Sequence, residues 1–338
     1  MDYRPLGRTG VVVSPLCLGT MMFGPWGNAD RADSVRIIHR ALDAGINFVD
    51  TADVYSEGVS EEIVGEALQG RRDDVVLATK FFVPMGAEPN HRGGSRRWVM
   101  REVEDSLRRL RTDHIDLYQV HRPSADTDVE ETLGALTDLV RQGKVRYIGS
   151  SSYSAGQIVE AQWAARERNL ERFVTEQPPY SILVRGIEAD VLPTTLRHGM
   201  GTLTYSPLSG GWLSGAWGKD SSPTSPARKR LAARFDMSLP ANQRKLEIVE
   251  QLAELADEAG HSLIEIAIAF VINHPGVTSA IIGPRTMEQL ESQLPAAETI
   301  LGSDVLDRID ELVTPGVTVN PEDNSYGTAE LTPAARRR

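Results

Sequence analysis

Four side chains of this sequence could act together to protonate an oxygen atom: Asp50, Tyr55, Lys80 and His121. The pKa of a free phenol is near ~10, but a nearby ammonium favours the ionised phenol and lowers that pKa. Lys80 could supply the ammonium, and Asp50 could keep Lys80 charged and oriented through a charge-assisted hydrogen bond. His121 could orient a carbonyl oxygen beside the Tyr55 hydroxyl. These residue types predict a site that protonates a carbonyl oxygen.

Protonation of a carbonyl oxygen is half of a reduction, and the hydride must come from a cofactor because no side chain donates one. The residues therefore predict a nicotinamide cofactor. No dinucleotide-binding G-x-G-x-x-G motif follows a predicted strand, and the Walker, H-E-x-x-H and G-x-S-x-G motifs do not occur. We expect a cofactor site of another kind and no metal site.

The elements that must position these side chains are eight short apolar runs separated by longer amphipathic stretches, a pattern typical of parallel strands joined by helices. The predicted strands are 15–20, 46–50, 75–80, 115–121, 145–151, 173–177, 201–206 and 277–283. Seven of them end in a polar or ionisable residue: Thr20, Asp50, Lys80, His121, Ser151, Gln177 and Ser206. Such a chain can form a barrel or a doubly wound sheet, but barrels carry their chemistry at the strand ends. We predict an α/β fold, a (β/α)₈ TIM barrel.

The connection between the seventh and eighth predicted strands is the longest in the chain. It contains GGWLSGAWGKDSSPTSPARKR, residues 210–230, whose composition predicts a long loop, and then helical patterns at 241–259 and 262–274. Such loops tend to bind ligands, although an inert insertion is the alternative. We expect one domain over 1–315 and an irregular tail over 316–338.

Helix ends are indicated by capping residues. The predicted capping boxes are Asp128 with Glu131, Ser154 with Gln157, and Ser262 with Glu265, and the predicted helix-ending glycines are Gly45 and Gly143. These signals support the alternation of strands and helices.

The composition is that of an ordinary globular protein of 338 residues, with 47 acidic and 36 basic residues and a formal net charge of −11. Nucleic-acid binders usually need a clustered basic surface, so we expect no nucleic-acid partner. The single cysteine, Cys17, excludes an intramolecular disulfide and points to a reducing compartment. No stretch approaches the ~18 apolar residues of a membrane span, and the first residues lack a signal-peptide pattern. We predict a cytoplasmic protein without a membrane partner.

Seven segments resemble the aldo-keto reductases, in the same order, between about residue 3 and about residue 315. They are GINFVDTADVY (45–55), LATK (77–80), LYQVH (117–121), IGSSSY (148–153), TEQPPY (175–180), YSPLSGGWLSG (205–215) and IIGPRTMEQL (281–290). The resemblance implies a (β/α)₈ barrel that binds NADP(H) across its carboxyl-terminal face and reduces aldehydes or ketones. The family's catalytic tetrad falls on Asp50, Tyr55, Lys80 and His121, with Tyr55 as the proton donor, and the predicted substrate pocket consists of Tyr55, Phe81 and His121.

The resemblance also implies which residues contact the cofactor. Ser151, Ser152 and Gln177 would hold the nicotinamide carboxamide, and Tyr205 would stack on the nicotinamide ring. Ser152 replaces the family's asparagine, and a hydroxyl cannot replace both ends of an amide, so we expect this contact to be weaker or rearranged. The predicted cofactor residues are Gly19, Thr20, Met21, Asp50, Ser151, Ser152, Gln177, Tyr205, Ser206, Pro207, Leu208, Ser209, Gly210, Gly283, Arg285, Gln289 and Gln293.

One segment resembles the loop that covers the pyrophosphate of the cofactor with backbone amides, residues 206–215. Relatives often carry a lysine after this loop, where this chain has Ala216. Lys219 or the Arg228–Arg230 run would have to supply that charge.

Arg285 precedes a predicted helix at the position where similar proteins hold the adenosine 2′-phosphate. A guanidinium suits bidentate phosphate binding, so we expect NADPH rather than NADH. The alternative for Thr286 and Gln289 is that they only form a capping box. Gln293 stands where relatives often carry asparagine, which leaves the adenine contact open.

Three functions remain for these residues. The first is NADPH-dependent reduction of a small carbonyl substrate. The second is a cofactor-binding regulatory or redox-sensing partner, as in the potassium-channel β subunits that resemble this family. The third is a glycosidase with Asp50 and Asp53 as paired carboxylates, which is disfavoured because they are poorly placed to flank a sugar bond and Lys80 would have no role. We expect Asp53 to be a solvated loop carboxylate, and the oligomeric state stays open.

Overall fold

The computed structural model describes residues 1–215 and 231–324 of the chain. The strands are the antiparallel pair β1 (Arg4–Pro5) and β2 (Val12–Val13), and then β3 (Leu16–Gly19), β4 (Phe48–Asp50), β5 (Val76–Phe81), β6 (Ile115–Val120), β7 (Val145–Ser151), β8 (Thr175–Gln177), β9 (Gly201–Tyr205) and β10 (Ser279–Ile282). Strands β3 to β10 are parallel, each pairs with the next along the chain, and β10 pairs with β3 to close a barrel. The predicted (β/α)₈ barrel is confirmed.

Helices connect and surround these strands. The α-helices among the described residues are α1 (Arg31–Asp43), α2 (Val59–Ala67), α3 (Arg96–Leu110), α4 (Val129–Arg141), α5 (Ala155–Arg168), α6 (Val191–His198), α7 (Pro240–Glu258), α8 (Leu263–Ile272), α9 (Met287–Gln293) and α10 (Ser303–Leu312). The helical patterns predicted at 241–259 and 262–274 correspond to α7 and α8. Ala216, Lys219, the Arg228–Arg230 run and the tail beyond residue 324 lie outside the described residues. Within 1–215 and 231–324, no helix is long and apolar enough to cross a membrane.

Most of the predicted helix ends form. The capping boxes Ser154 with Gln157 and Ser262 with Glu265 are present, and Gly45 (φ +94°) and Gly143 (φ +74°) follow their helices in the left-handed conformation. The prediction for Asp128 was wrong, because its side chain makes no capping hydrogen bond. The carboxylate of Glu131 instead accepts from the backbone N–H of Arg96, at 3.3 Å, and so joins α4 to the start of α3.

A short hairpin that the sequence patterns did not predict, β1 with β2, lies against the amino-terminal end of the barrel. Leu6 and Val13 of this hairpin are fully buried and pack with Cys17 in a small core inside the barrel. The backbone N–H of Arg8 donates to the carbonyl of Gly199, just before β9, at 3.1 Å. Because the hairpin covers this end, we expect the functional site at the carboxyl ends of the strands.

Side chains along β5 and β6 alternate between the barrel interior and the surrounding helices. Lys80 and Gln119 are register partners that point into the barrel and have no exposed surface. Their neighbours Phe81 and Tyr118 point outward, with ring centroids 4.7 Å apart, into the core beneath the helices. A buried lysine requires compensating partners, and those partners form the site described next.

Candidate active site

Lys80 is the centre of a short chain of polar contacts at the carboxyl end of the barrel. Its Nζ atom lies 2.5 Å from Oδ1 of Asp50 and 3.3 Å from the hydroxyl of Tyr55. It also donates to the backbone carbonyl of Thr51 at 2.9 Å. Asp50 ends β4, Lys80 lies in β5, and Tyr55 follows β4 in the next loop. The barrel therefore brings together three of the four residues proposed for proton transfer by direct contact.

The second oxygen of Asp50 is held by two buried amides. Gln119 and Gln177 donate to Oδ2 at 3.1 Å and 2.9 Å, and Gln177 also donates to the Gln119 carbonyl oxygen at 3.1 Å. Both oxygens of the carboxylate thus accept hydrogen bonds, which hold its orientation toward Lys80. Sequence reasoning missed Gln119, and the available signal was a polar residue at an inward position of an otherwise apolar strand.

The electrostatics of the Lys80 and Tyr55 pair are dominated by burial. Burial opposes the charge on Lys80, but Asp50 and Tyr55 outweigh it and raise the pKa of the ammonium. Burial also raises the pKa of Tyr55, and the Lys80 charge lowers it only in part. The expected net lowering of the Tyr55 pKa was wrong, although the ammonium acts in the expected direction. Lys80 is thus a permanent cation beside a neutral phenol.

His121, which directly follows β6, completes the group. Its ring lies edge-on to the Tyr55 ring, with centroids 5.9 Å apart and planes at 82°. Burial and the charges of Lys80 and Arg122 lower the pKa of His121 well below its ordinary value, so the imidazole is neutral. Its Nδ1 atom is buried and has no hydrogen-bond partner among the described residues. A neutral imidazole can donate through one nitrogen to a carbonyl oxygen.

Phe81 does not lie where the predicted substrate pocket requires it. Tyr55 and His121 are partly exposed, whereas Phe81 has no exposed surface and packs against Tyr118 in the core. The reason is strand alternation, because Lys80 points into the barrel and its neighbour must point away. The partly exposed aromatic of this segment is Phe82.

The loop that carries Tyr55 has an unusual backbone. Three consecutive residues are left-handed: Ser56 (φ +50°), Glu57 (φ +59°) and Gly58 (φ +95°). This conformation is unfavourable for residues other than glycine. The Ser56 hydroxyl holds this turn. It accepts from the Trp26 backbone N–H at 3.3 Å and donates to the Phe23 carbonyl at 3.2 Å, both in the loop after β3. Residues outside the loop therefore fix the position of Tyr55.

Asp53 is not the solvated carboxylate that we expected. It has no exposed surface, its Oδ1 accepts from the backbone N–H of Val54 at 2.6 Å, and its Oδ2 has no partner among the described residues. Burial, followed by the charges of Glu102 and Glu61, raises the pKa of Asp53 well above its ordinary value. The loop folds back over β5, where the Asp53 backbone N–H donates to the Lys80 carbonyl at 3.1 Å, and so draws the carboxyl group inside.

Ser151, the last residue of β7, and Ser152, which follows it, lie next to each other at the barrel mouth. The Ser151 hydroxyl donates to the carbonyl of Gln177 at 2.9 Å. Ser152 has φ +59°, accepts a hydrogen bond from the Arg122 guanidinium and lies 3.4 Å from the Tyr205 hydroxyl. Sequence reasoning missed Arg122, although it directly follows His121. These contacts place side chains predicted to bind nicotinamide close to one another.

The loop after β9 contains several residues in the left-handed conformation: Ser206 (φ +59°), Ser209 (φ +49°), Gly210 (φ +68°) and Gly211 (φ +99°). Leu208 has φ −92°, and Ser209 directly follows it in the left-handed conformation, a change of hand that occurs in anion-binding nests. Pro207 and Leu208 lie in the same turn. A Cβ atom added at Gly210 would lie 3.1 Å from the Phe235 ring, so glycine suits this position for its space as well.

The start of the mouth, after β3, is formed by Gly19, Thr20 and Met21. A Cβ atom at Gly19 would lie 3.1 Å from the Ile282 carbonyl oxygen, which shows how closely the backbone of β10 approaches. The Thr20 hydroxyl is buried and donates to the Asp50 carbonyl at 3.2 Å. Met21 is 43% exposed and is the one of the three that can contact a ligand without rearrangement.

The region after β10 combines a capping arrangement with an exposed cation. The Gln289 side chain accepts from the Arg285 backbone N–H at 2.8 Å, and the Thr286 hydroxyl accepts from the Gln289 backbone N–H at 3.4 Å. The Thr286 hydroxyl thus caps the helix, but the Gln289 side chain bonds the residue before the cap, so the alternative capping box does not form. The Arg285 guanidinium is exposed and forms no ion pair in the part of the chain that the structure describes.

These residues fit a nucleotide. The buried Gln293 has an amide oxygen without a hydrogen-bond partner among residues 1–215 and 231–324, and an adenine amino group could donate to it. An added Cβ atom at the exposed Gly283 would meet nothing within 4 Å, so the approach to the strand end is open. No group of three His, Cys, Asp or Glu side chains that could hold a metal ion occurs in the described ranges.

Comparison with known proteins agrees with this arrangement. The Aldo/keto reductase family model matches residues 15–314. The uncharacterized oxidoreductase YrpG of Bacillus subtilis (strain 168) is 41% identical over 324 residues, which cover 92% of this chain and 96% of that protein. Aldo-keto reductase YhdN of the same organism is 36% identical over 297 residues, 86% of this chain and 87% of that protein. A probable voltage-gated potassium channel subunit beta of Arabidopsis thaliana is 35% identical over 330 residues, 93% and 97%.

The extent of the match leaves little of the described barrel outside it. It begins at the start of β3, ends just after α10, and includes Asp50, Tyr55, Lys80 and His121. Proteins of this family are oxidoreductases that generally use NAD(P)H with small carbonyl substrates. This chain therefore belongs to the aldo/keto reductase family.

Proposed function

We propose that this protein reduces aldehydes or ketones to alcohols reversibly, with NADPH as the hydride donor and Tyr55 as the proton donor. The observation that carries the proposal is the position of the Lys80 ammonium, which contacts both the Asp50 carboxylate and the Tyr55 hydroxyl. A structural ion pair alone would not require a partly exposed phenol at its outer end.

The side chains divide the proton-transfer work among themselves. Asp50 and the Thr51 carbonyl hold the Lys80 ammonium, which donates to the Tyr55 oxygen and stabilises negative charge as the phenol gives up its proton. The neutral imidazole of His121, beside the Tyr55 ring, orients the carbonyl oxygen that receives this proton. When bound, NADPH supplies the hydride to the carbonyl carbon.

The cofactor is assigned to residues on three sides of the mouth. Ser151, Ser152 and Gln177 would bind the carboxamide, and Tyr205, the last residue of β9, would support the nicotinamide ring. The loop Ser206, Pro207, Leu208, Ser209 and Gly210 would cover the pyrophosphate, and Arg285, Gln289 and Gln293, with Gly283, would bind the adenosine end. The exposed Arg285 guanidinium, which forms no ion pair within residues 1–215 and 231–324, supports NADPH as the preferred nucleotide because a guanidinium matches a 2′-phosphate.

The direct test follows the loss of NADPH absorbance with a panel of aromatic and aliphatic aldehydes. We expect Tyr55→Phe to lower turnover by about 10²- to 10⁴-fold, the usual contribution of a general acid, without weakening NADPH binding. Tyr3→Phe, which changes an exposed tyrosine, is the matched control. Turnover by Tyr55→Phe near the wild-type rate would show that another group donates the proton.

A second candidate function rests on the 35% identity to the plant protein named as a probable potassium channel subunit beta. A regulatory protein of this kind would retain NADPH but turn it over very slowly and would form a stable complex with another protein. Oxidation of NADPH by an aldehyde, measured both in a single turnover and with excess NADPH, distinguishes the two functions. A reductase releases its products and repeats the cycle, whereas a regulatory protein oxidises its bound NADPH slowly and does not continue.

A further inference from the structure

A fully buried carboxylate, Glu176, lies behind the turn that carries the predicted nicotinamide-binding serines. Along β8 the neighbouring Thr175 and Gln177 point into the barrel, so Glu176 points outward between β7 and β8. Its Oε2 atom accepts from the Ser150 hydroxyl at 2.5 Å, and its Oε1 atom accepts from the Tyr153 backbone N–H at 3.0 Å. Glu176 thus contacts the residue on each side of the Ser151 and Ser152 pair and has no exposed surface of its own.

The turn needs such support because its backbone is strained. Ser152 has φ +59°, a left-handed conformation that is unfavourable for a residue other than glycine and persists only where the surrounding structure holds it. The Ser152 backbone N–H donates to the Gln177 carbonyl at 3.2 Å, while the acceptor for the next N–H, that of Tyr153, is the Glu176 carboxylate. Without that carboxylate the Tyr153 N–H would lose its acceptor in a buried position.

We propose that Glu176 is a positioning residue for the nicotinamide, whose carboxyl group holds the Ser151–Tyr153 turn so that the two serines face the cofactor. This inference rests on the proposed function, because it assigns Glu176 a role in binding the same cofactor. Glu176 has no exposed surface and acts through its contacts with Ser150, Ser152 and Tyr153.

The ionisation of Glu176 makes this support depend on pH. Burial raises the pKa of Glu176 to about 8, against the opposing effects of the Ser150, Tyr153 and Ser152 hydrogen bonds and of the Arg122 charge. The other titratable group that interacts with it is the Tyr153 phenol, whose pKa burial and Glu176 raise, so it stays neutral. The carboxylate accepts charge-assisted hydrogen bonds, whereas the protonated acid must use one oxygen as a donor, toward Ser150. The turn is therefore held more firmly above pH 8 than below it.

The experiment compares NADPH dissociation constants, measured by fluorescence titration, at about pH 7 and about pH 9. Glu176→Gln imitates the protonated acid, since its amide can donate to Ser150 and accept from Tyr153. We expect the wild type to bind NADPH more tightly at pH 9 than at pH 7. Glu176→Gln should lack this increase, because its amide behaves like the protonated acid at both pH values. Glu176→Ala should weaken binding by roughly tenfold. Glu188→Gln, at a carboxylate that holds Tyr180 and Arg185, is the control.

A second measurement does not depend on the cofactor. Amide hydrogen exchange of the nucleotide-free protein should show faster exchange at Tyr153 in Glu176→Ala, with the amides of β5 and β6 unchanged if the barrel is intact. Two results would overturn the role of Glu176 but leave the proposed function intact. One is that the wild type and Glu176→Ala bind NADPH with the same affinity. The other is that the wild type and Glu176→Gln show identical pH profiles of NADPH binding. A wild-type protein that binds no NADPH would overturn the proposed function as well.

Discussion

The guanidinium of Arg122 donates a hydrogen bond to the hydroxyl of Ser152, the residue that we predicted to stand in place of an asparagine of the family. The contact links the residue after His121 to the turn after β7, so two predicted parts of the site share a hydrogen bond. It also gives Ser152 a partner that an asparagine amide would have to replace or share. If Ser152 does replace that asparagine, the Arg122 contact compensates locally for the lost amide.

Ser152→Asn tests whether that compensation is complete. Asparagine tolerates the left-handed conformation of this position better than serine does, and its amide restores both a donor and an acceptor. We expect NADPH binding to tighten by roughly 3- to 10-fold, the equivalent of one additional hydrogen bond. Fluorescence titration measures the change, and weaker binding would mean that the Arg122 contact matters more than the amide.

Removal of one charge from the buried Asp50 and Lys80 pair should destabilise the fold more than removal of both. Lys80→Met leaves a buried carboxylate without its cation, and we expect the free energy of unfolding to fall by about 3–5 kcal/mol. Asp50→Asn added to Lys80→Met removes the uncompensated charge and should recover much of that loss, while both proteins remain inactive. Urea denaturation provides the measurement, and additive losses in the double variant would contradict the pairing.

Arg285 should determine the choice of nucleotide. Arg285→Ala removes an exposed guanidinium without an ion-pair partner in the described residues, so folding should be unaffected. We expect the KM for NADPH to rise by roughly 10- to 100-fold, the loss of a charged hydrogen bond to phosphate, and the KM for NADH to stay the same. A parallel rise for both nucleotides would show that Arg285 does not contact the 2′-phosphate.

The carboxyl groups beneath the Tyr55 loop should make stability fall as pH rises. Burial raises the pKa of Asp53 well above its ordinary value, and it raises the pKa of Glu102 to about 7 even though Arg109 pairs with it. A carboxyl whose pKa is higher in the folded protein binds protons preferentially there, so stability decreases between about pH 4.5 and about pH 7. Glu102→Gln should flatten this slope in urea denaturation curves measured across that range, and an unchanged slope would exclude Glu102 as its source.

The barrel and its strand ends could be predicted because seven of the eight predicted strands combine an apolar run with a polar terminal residue, as at Asp50 and Ser151. Periodicity alone also showed α7 and α8. The hairpin of β1 and β2 escaped prediction because each strand has only two residues, too few to show a period.

The errors within the site have a common origin. Phe81 was assigned to the pocket although strand alternation beside Lys80 turns it outward, and Asp53 was placed in solvent although the loop after β4 folds back over β5. Gln119, Arg122 and Glu176 went unnoticed because their roles depend on which strands are neighbours. Contacts of this kind are set by tertiary packing rather than by local sequence pattern. The cytoplasmic location, the domain limits and the cofactor contacts remain predictions.

The hairpin that covers the amino-terminal end of the barrel makes the thiol of Cys17 a natural reporter. Cys17 is fully buried beneath Leu6 and Val13, and burial raises its pKa well above the ordinary value, so a thiol reagent must wait for the structure to open. Since Cys17 is the single cysteine of the chain, the rate at which a thiol reagent labels it measures how often the hairpin of β1 and β2 opens. No engineered probe is needed. With its amino-terminal end covered by the hairpin, the barrel is expected to admit ligands at the carboxyl ends of its strands.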